Sequence, residues 1–267
     1  MTENRASLYE LPCKQIFNPY LPPQVNLWFI NLVKSHKEIY EFELLGKRIL
    51  IYPNVLSPKY EWATEHFIKN LPNCEGKSVL DVGTGTGALA LFAAFNGAND
   101  VHATDINSAA VENTNANFKK YGVDNFCKAY LSNLFEKVPQ GKTFDLILFN
   151  PPFQAYEPND ILDASITDHN YETVKKFMKE AKLYLKDKGR MAIYWAELCD
   201  LQLLIDLIKE NSYEILDRRG EFRNYLEFLQ KNQVDVELLV ACNKSIREDM
   251  GWNQYIYLLG KKNTLQK

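Results

Sequence analysis

From Val79 to Ala90 the chain reads Val-Leu-Asp-Val-Gly-Thr-Gly-Thr-Gly-Ala-Leu-Ala: an apolar run carrying one acid, three glycines at alternate positions, and an apolar continuation. This pattern reads as a strand, a tight turn and a helix in succession. Gly83, Gly85 and Gly87 let the backbone turn sharply and bring main-chain N–H groups against a ligand at a helix N-terminus. The turn therefore points to an α/β fold with a ligand site beyond the carboxyl end of a strand. It contains Gly85-x-Gly87-x-x-Ala90, with Asp105 about 20 residues further on. That spacing also fits the nicotinamide dinucleotide fingerprint, so an oxidoreductase is one reading of the turn alone.

A second stretch separates the alternatives. Residues 144–153, Phe-Asp-Leu-Ile-Leu-Phe-Asn-Pro-Pro-Phe, form a buried-type strand that ends in Asn150-Pro151-Pro152-Phe153, an ending that a nicotinamide enzyme does not use. Asp81-x-Gly83-x-Gly85-x-Gly87, Asp105 closing the next strand, and Asn150-Pro-Pro-Phe153 closing the fourth together resemble the class I S-adenosylmethionine-dependent methyltransferases. Within these, residues 40–215 are most similar to the HemK and small-methyltransferase group of N-methyltransferases. The resemblance implies a Rossmann-like α/β fold: a mostly parallel seven-stranded sheet with an antiparallel edge pair, here behind a small N-terminal extension. It divides the chain into an extension over 1–56 and a catalytic domain over 57–267, with 220–250 as an unassigned insertion.

Taken in order, residues 1–23 hold Pro12, Pro19, Pro22 and Pro23, which exclude a long helix there. Apolar residues at helical spacing then predict a helix over 24–37. Phe42 and Leu44, then Ile49 and Ile51, alternate around Gly46-Lys47 as two strands. Ser57-Pro58 predicts the start of a helix running to Leu71. The segment from Val55 to Glu61 resembles the loop preceding the catalytic domain of HemK-type enzymes, and Tyr60, Glu61, Trp62 and Thr64 are all candidates to approach the site. Strands and helices then alternate: 78–82, 86–96, 100–105, 108–121, 126–131 and 144–149. Residues 154–169 form a polar loop placed to gate a substrate. A helix from Tyr171 ends at Gly189, a strand covers Arg190 to Ala196, and a helix covers 200–211. Tyr213–Arg219 and Tyr255–Gly260 complete the edge pair.

The resemblance assigns roles to these positions. Asp105 would accept from the ribose hydroxyls of S-adenosyl-L-methionine, Asp81 would help hold its methionine end, and Asn133 would face its adenine amino group. The glycines at 83, 85 and 87 complete the cofactor turn. Asn150 and the Pro151 carbonyl would accept hydrogens from a substrate amine, and Phe153 would stack on a planar group attached to it. The chemistry is explicable from the motif: two prolines remove two N–H donors, so the backbone there offers only acceptors. Relatives acting on glutamine usually end the motif in tyrosine, so Phe153 leans mildly away from them. A small molecule, a peptide or protein amide, and a nucleobase in RNA or DNA all stay open as methyl acceptors.

The rest of the sequence excludes other classes. A formal net charge of −3 and a pI near 5.9 give no global attraction to nucleic acid or anionic membrane. Seven basic residues between Lys175 and Arg190 read as a solvated helix face. The five cysteines are scattered with no Cys-x-x-Cys pair, and the four histidines have no ligand spacing, so no disulfide framework or metal site is expected. With no leader-like start and no long apolar run, a cytoplasmic location is expected.

Overall fold

The computed structural model describes residues 23–197, 199–224 and 251–262. Its centre is β3 (Ser78–Val82), whose five residues are all buried, as befits a strand covered on both faces. The chain continues through α3 (Ala88–Phe95), β4 (Asp100–Asp105), α4 (Ser108–Lys120), β5 (Cys127–Leu131) and β6 (Phe144–Phe149). After α5 (Glu172–Tyr184) come β7 (Leu185–Ala196), α6 (Leu201–Glu210), β8 (Tyr213–Asn224) and β9 (Gly251–Lys261). The sheet order is β5-β4-β3-β6-β7-β9-β8. Pairs from β5 to β7 are parallel, and β9 runs antiparallel to both β7 and β8. This is the Rossmann-like class I methyltransferase architecture expected from the sequence. From β3 the chain moves outward on one side through β4 and returns on the other through β6, and ligands in such sheets sit outside the carboxyl ends at that switch.

In front of the sheet lie α1 (Pro23–Ser35) and a hairpin of β1 (Tyr40–Leu44) and β2 (Lys47–Ile51). The hairpin is tied down by amide side chains. Asn113 on α4 accepts from Tyr52 N–H and donates to the Leu50 carbonyl. Asn117 accepts from Leu50 N–H and donates to the Leu50 and Thr86 carbonyls. Both side chains are fully buried, so each satisfies backbone groups that would otherwise be costly to desolvate.

Three boundaries differ from expectation. The predicted helix from Ser57 to Leu71 is shorter: α2 covers Ala63–Lys69, because Ser57 to Tyr60 close a turn through Tyr60 N–H to the Ser57 carbonyl. Glu61, not Ser57, meets the helix start, its carboxylate accepting from Thr64 N–H at 3.0 Å. The helix expected to end at Gly189 ends at Tyr184, where Leu185 turns extended and pairs with Phe144. Gly189 serves a close approach instead: a Cβ there would stand 2.7 Å from the Phe144 carbonyl oxygen. The edge strands are longer than predicted, so 220–224 belong to β8; residues 225–250 of the unassigned insertion, like 1–22, fall outside the described residues.

Two apolar clusters result. The main one fills both faces of the sheet. The smaller joins Phe29, Ile30 and Val33 of α1 to Tyr60, Leu162 and Ile166, so α1 packs on the loop after β6. The ring of Phe153 packs against both. Among the described residues no helix is long and apolar enough to cross a membrane, and no group of histidines, cysteines and acids has the arrangement to hold a metal ion.

Candidate functional site

The glycine turn leaves β3 with Gly83, Gly85 and Gly87 all at positive φ. Gly83 and Thr84 N–H groups donate to the Thr104 carbonyl, and Gly85 N–H donates to Asp105 Oδ2 at 2.9 Å. The second Asp105 oxygen accepts from Asn107 N–H at 2.9 Å, and the Asn107 side chain caps α4 by accepting from Ala109 N–H. Burial pushes the Asp105 carboxyl upward, against the pull of these N–H donors. Asp81 lies beneath the turn with no exposed surface. Its Oδ2 accepts from Thr84 Oγ at 2.6 Å and Ala90 N–H at 3.2 Å, while its Oδ1 finds no partner. Burial raises Asp81 to about 7.

A cavity of about 450 Å³ opens along the carboxyl edge of the sheet. Gly83, Gly85, Asp105 and Asn133 line it on the β3–β4 side, and Asn150, Pro151 and Phe153 line it on the β6 side. Asp81 and Gly87 do not reach its wall; one supports the turn from below and the other packs against Thr114. The residues predicted as a site are thus brought around one space, with these two behind it. Of the four candidates near α2, Glu61, Trp62 and Thr64 line the cavity, whereas Tyr60 is buried in the α1 cluster and hydrogen-bonds His36.

The Asn150 turn is held from outside. Phe153 and Gln154 N–H groups both donate to the Ile166 carbonyl, at 3.1 and 2.9 Å, and Asp168 N–H donates to the Gln154 carbonyl at 2.7 Å. Asp168 in turn caps α5, accepting from Thr173 and Val174 N–H. The loop expected to gate the site is therefore stitched to the turn and roofed by α1, which contributes Phe29 to the cavity wall. His169 lines the cavity rim and pairs with Glu157.

Sequence reasoning missed Phe29, Ile161, Tyr194 and Gln254, all of which line this space. A glutamine just before the apolar run Tyr255–Leu259 was the local hint of Gln254, whose burial only the fold discloses. Among the described residues no lysine or arginine lines the cavity, whereas Glu61, Asp105, Glu157, Asp168 and Glu172 do. Of the basic stretch from Lys175, Lys176 pairs with Glu136 and Lys186 with Asp145, in keeping with a solvated face.

These features fit the cofactor implied by the sequence resemblance. A half-buried carboxylate at the wall suits a diol, a turn with glycine at alternate positions leaves room for close approach of its backbone, and the unpartnered Asp81 Oδ1 suits a nearby cation. Comparison with known proteins agrees. Residues 48–223 match the family model described as methyltransferase small domain. The release factor glutamine methyltransferase of Coxiella burnetii is 26% identical over 240 residues, covering 82% of this chain and 83% of that protein. That of Bacillus subtilis is 28% identical over 213 residues, covering 70% and 73%. Among solved structures, a T. thermophilus 16S rRNA N2 methyltransferase with AdoMet and guanosine superposes with a TM-score of 0.55 at 19% identity. The match covers 84% of this chain and 50% of that one, and it speaks to fold alone.

Proposed function

The chain belongs to the methyltransferase small domain family and is an S-adenosylmethionine-dependent methyltransferase, and on that premise we propose that it methylates a substrate nitrogen held by Asn150-Pro151-Pro152-Phe153. The observation that carries this reading is one cavity flanked by Asp105 and the glycine turn on one side and by Asn150, Pro151 and Phe153 on the other. In this reading residues 57–267 carry the catalytic domain, and the extension before it adds Phe29 to the acceptor side. The nicotinamide reading gives way to the family.

When bound, the cofactor supplies a sulfonium-linked methyl group that is electrophilic without further activation. Asp105 would accept from its ribose hydroxyls, Asn133 would serve its adenine amino group, and Asp81 would offer negative charge toward its ammonium end. Asn150 Oδ1 and the Pro151 carbonyl each accept a hydrogen of the substrate nitrogen, which aims its lone pair. In the transfer the N–C bond would form as the methyl–sulfur bond breaks, the bonding pair leaving on the sulfur of neutral S-adenosylhomocysteine, and the nitrogen would give up one of those protons to solvent. Catalysis is then chiefly alignment, worth up to about 7–11 kcal/mol for a near-attack geometry.

The relatives named for glutamine methylation support an amide nitrogen of a peptide or protein, with a small-molecule amine as the other member of the same class. A cavity with five acids and no described lysine or arginine favours a neutral or cationic head group over a phosphate-bearing one. One observation keeps a nucleobase as the second reading: the half-buried Phe153 ring beside Asn150 is a stacking surface for a heteroaromatic amine. The free cysteines among the described residues, Cys74, Cys127 and Cys199, suit a reducing, cytoplasmic setting.

Calorimetric titration of S-adenosylhomocysteine, joined to a labelled methyl-transfer assay over peptides, amines and nucleosides, tests this reading. Asp105→Ala weakens binding by roughly 100-fold through two lost charge-assisted bonds. Asn150→Ala leaves binding within about threefold but lowers transfer by about 100-fold or more. Equal loss of binding in both variants, or transfer to oxygen or carbon, overturns it.

A further inference from the structure

We propose that Gln254 is a second substrate-binding group: its Nε2 donates to a hydrogen-bond-accepting atom that the substrate carries next to its methylated nitrogen. Such an atom is the carbonyl oxygen of an amide or the ring nitrogen of an amino-heteroaromatic. The inference rests on the methyl-transfer reading above and specifies which nitrogen compounds the site accepts.

Register places this residue. Phe149, the last residue of β6, pairs with Ile193 of β7, and three positions further along β7 Ala196 pairs with Gln254 of β9, which pairs with Glu221 of β8. Across the carboxyl edge, the order is Asp105, the glycine turn, Asn150, then Tyr194, Ala196 and Gln254. The last three line the cavity on the side away from Asp105, beyond the acceptor turn.

Gln254 has no exposed surface, and its amide is held in one orientation. Tyr194 Oη donates to its Oε1 at 3.1 Å, and its Nε2 faces Glu221 Oε2 at 3.4 Å. A flip would set the amide nitrogen against the tyrosine oxygen and the amide oxygen against a carboxylate. Glu221 Oε2 already accepts from His66 Nδ1 at 2.8 Å and Arg223 Nη2 at 2.7 Å. The contact to Gln254 is accordingly at the long limit of a hydrogen bond. Among the described residues Glu221 takes one of the two Nε2 N–H groups, and Gln254 stands at a cavity wall whose other members include Phe29, Trp62, Phe153 and Ile161. A buried donor in such a place is costly unless a ligand completes it. Tyr194 and Glu221 are positioning residues, because they fix which end of the amide faces the substrate.

Three neutral planar probes separate the possibilities: benzamide, 4-aminopyrimidine and aniline, the last lacking an acceptor beside its amine. Their binding to the protein saturated with S-adenosylhomocysteine is measured by ligand-observed NMR for wild type, Gln254→Met and Tyr194→Phe. Wild type is expected to bind benzamide or 4-aminopyrimidine at least tenfold more tightly than aniline, and the preferred one names the source of the acceptor atom. Gln254→Met is expected to erase the preference while leaving S-adenosylhomocysteine affinity and aniline binding unchanged, a pattern that general loosening of the fold does not produce. Tyr194→Phe, which keeps the packing but frees the amide to flip, reduces the preference severalfold. An unchanged preference in Gln254→Met, or none in wild type, overturns the inference. Failure of wild type to bind S-adenosylhomocysteine overturns the methyl-transfer reading itself.

Discussion

The two halves of the cavity are built in different ways. On the β3–β4 side, Asp105 joins Gly85 across 20 residues and Asp81 supports the turn through Thr84 and Ala90 within nine, so one short stretch and its neighbouring strand supply most of the wall, with Asn133 after β5 completing it. The opposite side draws Phe29 from α1, Trp62 from before α2, Phe153 and Ile161 from one loop, Tyr194 from β7 and Gln254 from β9. A ligand shared by many enzymes can be gripped by backbone and local carboxylates. A ligand peculiar to one enzyme is gripped by side chains that only the finished fold brings together.

The sharpest way to break this contrast is at Gly87. Its φ is +79°, and a Cβ there would meet Thr114 Cγ2 at 2.8 Å. Gly87→Ala therefore combines left-handed strain with overpacking, and a loss of about 2–5 kcal/mol in denaturant unfolding is expected. Gly85→Ala, where a Cβ would meet no atom within 4 Å, incurs only the strain, about 1–2 kcal/mol. Equal losses at the two positions would remove the packing argument.

Phe29→Ala probes the other half. The cluster joining α1 to the loop is small beside the sheet core, so deletion of this ring, about 3 kcal/mol for a buried phenylalanine, is expected to release α1 without unfolding the sheet. Hydrogen exchange should rise in α1 and 154–169 alone, acceptor KM should rise, and S-adenosylhomocysteine affinity should hold within about twofold. Faster exchange throughout β3 and β6 would show that the two halves do not separate.

The smallest effect sharpens the cofactor side. Asp81, raised to about 7 by burial, is partly protonated in neutral solution. A cationic ammonium above it favours the carboxylate, so binding releases a proton and affinity rises with pH, by up to about tenfold between about pH 6 and about pH 8. Calorimetry in buffers of different ionisation enthalpy reads the proton, and Asp81→Asn should flatten the curve. A pH-independent affinity in wild type would separate Asp81 from the ligand.

This division also explains what the sequence discloses. Glycine spacing, the acids at 81 and 105 and the Asn150 turn are contiguous signals, and they locate the sheet, its switch point and six residues of the cavity wall, to which the end of β5 adds Asn133. Where the signal was propensity alone it misled: Ser57-Pro58 resembles a helix start but closes a turn, and Gly189 resembles a helix end but makes room for the Phe144 carbonyl. Gln254 owes its importance to strand neighbours 33 and 58 residues away, Glu221 and Ala196, and no local pattern carries that pairing.

Phe153 sits at the seam of these two constructions, its ring packed on the sheet core and on the α1 cluster at once. The turn that is to hold the reacting nitrogen is thereby clamped by a layer that never touches that nitrogen. Substitutions in α1 can then change turnover by shifting the clamp, and descendants of this chain can retune their chemistry by altering the roof while the motif beneath it stays fixed.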